Sequence, residues 1–204
     1  MTKLKKNENE KLEPRTQRGM KTKQKLLEAA EIIFGEKGFF QAGIVDITQQ
    51  AEVSMGTFYT YFKTKEDIFR ELVMSMQQNL RKEIRIGTKN IVDRIELERE
   101  GFRIFLQYLE KHKYLYRLFR QAEFVDAQLH RDYFETFSRG YISGLKNSME
   151  KGEIKEFNPE LIAYSMMGIA EYIGMKWIIW EQREITDELI DELVSFIKNG
   201  IDYP

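Results

Sequence analysis

The stretch AEVSMGTFYTYFKTKED, residues 51–67, decides the fold of this chain. Four aromatic residues fall within five positions, and two lysines follow within the next three. Phe58 and Phe62 are four residues apart, so they share one helix face and can pack on the preceding segment DITQQAEV, residues 46–53. Ser54 stands where its side chain can accept a hydrogen bond from the first turn. The pattern predicts two short helices joined by a tight turn, which is helix-turn-helix architecture.

The side chains left outside that core share a chemistry that suits a nucleic acid. Gly56 lets a partner approach the backbone closely, and the free N–H groups at a helix start attract phosphate. Hydroxyl groups, Lys63 and Lys65 can bind phosphate oxygens, and Met55 and Thr60 can touch base edges. The predicted DNA-binding residues are Ser54, Met55, Gly56, Thr57, Tyr59, Thr60, Tyr61, Lys63 and Lys65. The alternative is an ordinary surface helix with half-buried tyrosines.

Composition and charge bound the class of protein. The 204 residues are 42% hydrophobic and 32% charged, which suits one large or two small domains with a real core. There is no Cys, which excludes disulfides and thiolate metal sites, and we expect a cytoplasmic location. Residues 1–25 carry a net charge of +6 although the whole chain carries −1. A basic end on an acidic body indicates that one end meets a polyanion, although a solvated tail has the same composition.

Hydrophobic periodicity predicts an all-α fold of about nine helices, with no strand alternation and no repeat. The first helix is TQRGMKTKQKLLEAAEIIFGEKG, and two short helices follow it. A fourth helix, capped by Thr64, is expected to reach about Ile86. The later helices are predicted at about 89–111, 113–122, 126–150, 159–182 and 187–200. The predicted domains are a basic, disordered arm at 1–19, a DNA-binding domain at 20–80 with its helix-turn-helix motif at about 43–62, and a ligand-binding and dimerisation domain at 81–204.

One segment resembles a membrane span. LIAYSMMGIAEYIGMKWIIW, residues 161–180, is long and apolar. Glu171 and Lys176 lie inside it, and each would be costly in the middle of a bilayer. We interpret the segment as a helix buried on several sides, and we expect no membrane partner.

The stretch LLEAAEIIFGEKGFFQAGIVDITQQAEVSMGTFYTYFKTKEDIF, residues 26–69, closely resembles the N-terminal domain of the tetracycline-repressor (TetR) family of bacterial regulators. The matching pattern is an Ala-Ala helix ending in F-x-x-x-G-[FY], followed by D-I-x-x-x-A-x-V-S-x-G-T-x-Y-x-[YH]-F-x-x-K-E. The resemblance covers about residues 20–80. Beyond it the chain is similar only in architecture, as a variable helical body that binds a ligand and dimerises.

The resemblance implies roles for individual residues. Residues 54–57 would open the recognition helix in a DNA major groove, and Tyr59 and Tyr61 would contact phosphate. Lys65 falls at the lysine that clamps phosphate at the start of the fourth helix. Two departures affect this expectation. A Gly-Ile pair at residues 43–44 replaces a frequent Thr-containing pair, and Glu52 stands where Gly is common.

The resemblance also implies an apolar cavity among the fourth to eighth helices. Large aromatics are frequent in residues 90–150, and methionines lie nearby. The predicted ligand-binding residues are Phe102, Phe105, Leu106, Phe119, Phe124, Phe134, Phe137, Tyr141, Met166 and Met167. Ordinary core packing is the alternative for each of them. The arginines predicted to bind an anionic head group are Arg103, Arg117, Arg120, Arg131 and Arg139. Such a tunnel would suit a fatty acid or an acyl-CoA, and charged solvent faces explain the arginines equally well.

The last two predicted helices have apolar stripes beyond those needed for one core. The residues predicted to form a dimer interface are Ile169, Ile173, Trp177, Trp180, Leu189, Leu193 and Phe196. Pairing them across a two-fold axis would give a four-helix contact of the obligate type. A single monomeric core is the alternative.

These expectations combine into a ligand-responsive repressor that binds a palindromic DNA operator as a homodimer and is released by a small, largely apolar or amphipathic effector. The alternatives are an activator or ligand-independent regulator of the same fold, and a helical small-molecule-binding protein without DNA function. We expect no enzyme, cofactor or metal. His112 and His130 are the only histidines, and no phosphate loop, metal motif or nucleophile elbow is present.

Overall fold

The computed structural model describes residues 14, 16–112 and 114–201. Within them the fold is all-α, as predicted, with nine α-helices and no strand. The helices are α1 (Gln17–Lys37), α2 (Ile44–Gln50), α3 (Met55–Tyr61), α4 (Lys65–Gly87), α5 (Arg94–Lys111), α6 (Leu115–Val125), α7 (Ala127–Glu150), α8 (Pro159–Gly174), which continues into a π-helical segment (Met175–Trp180), and α9 (Asp187–Ile201). Residues 1–13 and 15 of the predicted arm lie outside the described residues.

The chain divides into two compact units, Met1–Leu72 and Val73–Pro204. The domain limits of 20–80 and 81–204 stay a prediction, because a division by packing is not a test of which part folds alone.

Side-chain caps decide where the helices begin in the first unit. Ser54 Oγ accepts from the Thr57 N–H at 3.1 Å, and Thr64 Oγ1 accepts from the Asp67 N–H at 3.0 Å. The Asp67 carboxylate in turn accepts from the Thr64 N–H at 3.0 Å, completing a capping box. The predicted caps at Ser54 and Thr64 are confirmed, and each contributes about 1 kcal/mol.

Caps also correct two predicted boundaries. α5 begins at Arg94, five residues after the predicted start, because Asp93 Oδ1 accepts from the Glu96 N–H at 2.8 Å. α6 continues to Val125 because the Asp126 side chain caps the next helix through the Leu129 N–H at 3.1 Å. Periodicity located both helices, and the cap residues located their ends.

The core of the first unit is apolar and built by α1 to α4. Phe58 and Phe62 are 0% and 2% exposed, as their spacing predicts. They pack in a core that also buries Leu26 and Ile47 completely.

The second unit packs α7 between α6 and α8, and α5 against α8 and α9. α8 buries Ala163, Met166 and Ala170 but exposes Leu161 and Tyr172, so the segment 161–180 is buried on one side only. Among the described helices, none combines the length and hydropathy that a bilayer crossing requires. The change to π-helix within this segment was not predicted.

Candidate nucleic-acid interface and internal cavity

The outer face of α3 carries side chains that the core of the first unit does not use. Phe58 is fully buried, whereas Tyr59 is 50% exposed and Met55 37% exposed. Gly56 and Thr60 are exposed as well. The Tyr59 hydroxyl has no hydrogen-bond partner among the described residues, so it is available to an external acceptor or donor.

Other polar groups of α3 are already oriented by the protein. Thr60 Oγ1 donates to the Gly56 carbonyl at 3.1 Å, so its hydroxyl can still accept a bond and its methyl group is held in place. Ser54 Oγ and Thr57 Oγ1 are 2.9 Å apart and share a hydrogen bond. The sulfur of Met55 receives a weak hydrogen bond from Thr48 at 3.6 Å, which ties it to α2. These contacts limit the rotamers available on the outer face.

The side chain of Tyr61, the last residue of α3, reaches the start of α1. A Cβ added at Gly19 would lie 3.5 Å from the Tyr61 hydroxyl oxygen and 2.9 Å from the Cβ of Pro14, so only glycine fits there without a shift. The Tyr61 hydroxyl therefore lies beside the first turn of α1, whose N–H groups favour anions. Nothing in the local sequence around Tyr61 indicates this neighbour.

Lys65 has intramolecular partners that the sequence did not reveal. Its Nζ donates to the carbonyl oxygens of Phe39 at 2.7 Å and Ala42 at 2.9 Å, and lies 4.4 Å from the centroid of the Phe39 ring. These contacts tie the loop between α1 and α2 to the start of α4. An ammonium group has three N–H donors, so one remains for a phosphate. The phosphate contact itself stays a prediction.

Two features shape the loops around α2. Glu52 has φ of 56°, in the left-handed region, which gives a physical reason for glycine at this turn. The Asp46 carboxylate accepts from Lys37 Nζ at 2.7 Å and from the Gly43 N–H at 2.8 Å. The hydrogen bond from Lys37, followed by that from Gly43, holds the pKa of Asp46 below its ordinary value.

The second unit contains a cavity of about 610 Å³ with walls from α4, α5, α6, α7 and α8. The predicted residues on its wall are Phe102, Phe105, Phe119, Phe134, Phe137, Tyr141, Met166 and Met167. Two predicted residues are not among them. Leu106 is fully buried in the core, where its Cδ2 would lie 3.5 Å from a Cβ at Gly174. Phe124 is 74% exposed because it follows Phe119 by five positions, a rotation of about 140° around the helix.

A buried polar cluster interrupts the apolar wall. Glu98 forms an ion pair with Arg94 and accepts from the Tyr141 hydroxyl at 2.5 Å. The Arg94 and Glu98 side chains are each 6% exposed. Burial raises the pKa of Glu98, and the charge of Arg94 and the Tyr141 hydrogen bond oppose that rise. Burial and the neighbouring Glu98 raise the pKa of Tyr141, so its hydroxyl stays a donor at neutral pH.

The arginines predicted to bind a head group do not lie on the cavity wall. Arg103 instead pairs with Asp187 at 2.5 Å, which joins α5 to the start of α9. None of Arg117, Arg120, Arg131 and Arg139 belongs to the wall either. The cations that do belong to it are Arg81, Lys82, Arg85 and Arg94. The apolar spacing of α4 predicts its buried face and does not indicate what its polar face meets.

Apolar side chains remain exposed on the last helices. Trp180 and Phe196 are 64% and 70% exposed, while Leu193 is only 9% exposed because α9 packs its buried face on α5. Leu193 is therefore a core residue and not part of an outer surface. The remaining predicted interface residues, Ile169, Ile173, Trp177 and Leu189, are half-buried. Leu161, Tyr164 and Tyr172 are exposed and were not predicted.

Comparison with known proteins supports one family. The family model "Bacterial regulatory proteins, tetR family" matches residues 26–72. The HTH-type transcriptional regulator YdgC of Bacillus subtilis is 30% identical over 174 residues, 79% of this chain and 84% of the relative. The fatty acid metabolism regulator protein of Bacillus subtilis is 24% identical over 186 residues, 85% of this chain and 94% of the relative.

Solved structures share the fold. The transcriptional regulator FadR from Bacillus subtilis, in complex with stearoyl-CoA, matches with a TM-score of 0.77 at 22% identity, over 87% of this chain and 98% of that chain. The relatives named here are regulators and not enzymes. The chain has a capped helix-turn-helix and an all-α fold, and it is related to YdgC over most of its length. It belongs to the TetR family of bacterial transcriptional regulators.

Proposed function

We propose that this regulator is a repressor that binds a palindromic operator as a homodimer and leaves it when an amphipathic effector occupies the cavity. The observation that carries the proposal is the outer face of α3, where Tyr59 is half-exposed and its hydroxyl has no partner among the described residues. An exposed tyrosine offers a partner both apolar ring area and a hydroxyl that can donate to a phosphate oxygen, which supports a role in binding.

In the proposed complex α3 lies in the major groove. Residues 54–57 face the base edges, and the thioether of Met55 suits a thymine methyl group. Tyr59, Tyr61 and Lys63 contact the phosphates that fix the register. Two copies related by a two-fold axis read half-sites about 34 Å apart, which makes the operator palindromic.

Dimerisation in this proposal uses the exposed apolar side chains of the last helices. Trp180 and Phe196 belong to the predicted set, and Leu161, Tyr164 and Tyr172 extend it. An isologous contact would bury the same side chains on both copies.

The proposed effector has a long apolar part, as a fatty acid or an acyl-CoA does. The aromatic and methionine side chains on the wall of the 610 Å³ cavity support this choice. The stearoyl-CoA bound to the FadR structure of the same fold supports it as well.

α4 provides the proposed route from effector to DNA. It is one continuous helix that begins with Lys65 in the first unit and carries Arg85 on the cavity wall in the second. An effector releases DNA only if it binds more tightly to the conformation that cannot hold the operator.

The proposal is tested by fluorescence anisotropy with labelled DNA from upstream of the regulator's own gene, at several salt concentrations. We expect specific binding that weakens with salt. The logarithm of the association constant should fall by about 0.9 per neutralised phosphate for each unit increase in the logarithm of the salt concentration. Tyr59→Phe should weaken binding to all sequences evenly, and Met55→Ala should change base preference. Lys146→Ala, on the exposed surface of α7, is the matched control and should change neither.

Effector release is measured in the same assay by adding stearate or stearoyl-CoA. Loss of operator binding at constant salt supports the proposal. DNA binding without salt dependence, or a strictly monomeric protein in sedimentation, would refute it.

A further inference from the structure

The cavity has one cationic side, and it lies on a single helix. Gln78, Arg81, Lys82 and Arg85 of α4 all line the wall. Their spacing of three, four and seven residues places them on one helix face. The buried face of α4, which includes Met76 and Leu80, is a different one.

These cations are exposed and unbalanced. Arg81, Lys82 and Arg85 are exposed, so the cavity opens to solvent beside them. In the part of the chain that the structure describes, none of the three has an ion pair or a hydrogen bond. Three like charges within five residues repel one another, and an anion between them would remove that cost.

The carboxylates on the wall do not neutralise this side. Glu98 is already paired with Arg94. Burial raises the pKa of Glu171, and the charged groups that oppose the rise are Arg120 and His130, not the cations of α4. The wall as a whole therefore carries four cations against two carboxylates.

Two helical glycines leave space on the walls of the same cavity. A Cβ added at Gly101 of α5 or at Gly140 of α7 would meet no atom within 4 Å. Glycine inside a helix costs about 1 kcal/mol relative to alanine, and the protein's own packing does not use the space that it leaves. Gly101 lies one turn from Glu98, and Gly140 is next to Tyr141, so both lie beside the buried polar cluster.

From this charge and this space we infer that the α4 face formed by Arg81, Lys82 and Arg85 is an anion subsite that holds the carboxylate or phosphate head group of the effector at the cavity mouth. The inference rests on the proposed function, because it names the head group of the same effector. The apolar chain of the effector then lies along the aromatic wall. Its head group binds α4, the helix whose first residue is Lys65.

The test compares three probes that share one alkyl chain: dodecanoate, dodecanoyl-CoA and the neutral dodecanol, each measured by isothermal titration calorimetry on the full chain. The variant is Arg81→Gln with Lys82→Gln and Arg85→Gln. Its matched control removes three charges from exposed residues off the cavity wall, by Lys25→Gln with Lys89→Gln and Lys146→Gln. All six side chains are exposed, so both variants should fold as the parent does.

We expect the parent to bind the anionic probes more tightly than dodecanol. The α4 variant should bind them about tenfold more weakly, while its affinity for dodecanol is unchanged. The control variant should behave as the parent. A loss confined to dodecanoyl-CoA assigns the subsite to phosphate, and an equal loss for dodecanoate assigns it to any carboxylate or phosphate.

Two outcomes overturn the inference: equal affinity of the parent for dodecanol and the anions, including no binding of any probe, or unchanged anion affinity in the α4 variant. The DNA-binding assay distinguishes a failure of this inference from a failure of the proposed function. If dodecanol releases the operator as well as the anions do, the head-group subsite is wrong and the effector-released repressor stands. If the anions bind with the expected preference but never release DNA, the subsite stands and the proposed release is wrong.

Discussion

Substituting Lys65 by methionine separates a structural role from a DNA contact. Methionine keeps an unbranched apolar stem but removes the ammonium that donates to the carbonyls of Phe39 and Ala42. Those two residues are 4% and 2% exposed, so water reaches their carbonyl groups poorly. The loop between α1 and α2 would lose both of these bonds.

The magnitude follows from the two hydrogen bonds. Bonds to a charged group contribute roughly 1.5–3 kcal/mol each, and water entering beside the half-buried side chain replaces part of that. We expect the first unit to lose about 2–4 kcal/mol of stability. Amide exchange of α1 and α2 should then accelerate by roughly 30- to 700-fold wherever it follows unfolding of that unit.

Hydrogen exchange measured by mass spectrometry reports this unit directly, while both tryptophans, Trp177 and Trp180, report the second unit by fluorescence. The fluorescence transition stays in place where the two units unfold separately, and it shifts by the same free energy where they unfold as one. Lys25→Met, at an exposed position of α1, is the control and should change exchange little. If Lys65→Met leaves exchange unchanged and only reduces the salt dependence of DNA binding, then Lys65 is a phosphate contact without a structural role.

Four further outcomes are expected. Glu52→Gly should stabilise the protein by about 1 kcal/mol in urea unfolding, because glycine adopts the positive φ of this position without strain. It should also tighten DNA binding, because it removes a negative charge. A lower urea midpoint would contradict the first expectation. The pKa of Asp46 is lowered in the folded protein, so the stability that its carboxylate contributes is complete above its ordinary pKa of 3.8 and is lost as the pH falls through its folded pKa. Asp46→Asn should therefore flatten the fall in stability below about pH 4. An unchanged pH profile of stability would count against the Lys37 bond. Tyr141→Phe should cost about 1–3 kcal/mol, because it leaves a buried oxygen of Glu98 without a donor; a neutral effect in thermal unfolding would indicate that water takes its place. Gly140→Ala should raise stability by about 1 kcal/mol, because its Cβ enters empty space, and a loss of stability would show that the space is filled.

Much of the fold could be predicted from local pattern. The helices follow from apolar spacing, and the Ser54 and Thr64 caps act on atoms three residues away. The pairing of Phe58 and Phe62 is likewise a property of one helix. At Asp93 the apolar spacing alone predicts a helix start that is five residues too early, because spacing does not identify the cap.

The candidate sites were predicted less completely, because a cavity wall is formed by helices far apart in sequence. Spacing indicates which residues share a face, but not which neighbour that face meets. For this reason apolar spacing does not separate Phe124 and Leu106 from the true wall residues, and it does not show that the cations on the wall are those of α4 and not the five predicted arginines.

The sequence by itself determined the helical class, the helix-turn-helix and the family, because caps, periodicity and the motif of residues 26–69 are local properties of the chain. Tertiary structure alone decided that Lys65 binds carbonyl groups 23 and 26 residues away, and that Arg81, Lys82 and Arg85 face a cavity. The physical reason is that side-chain partners depend on how helices pack, and packing is settled by the whole chain at once.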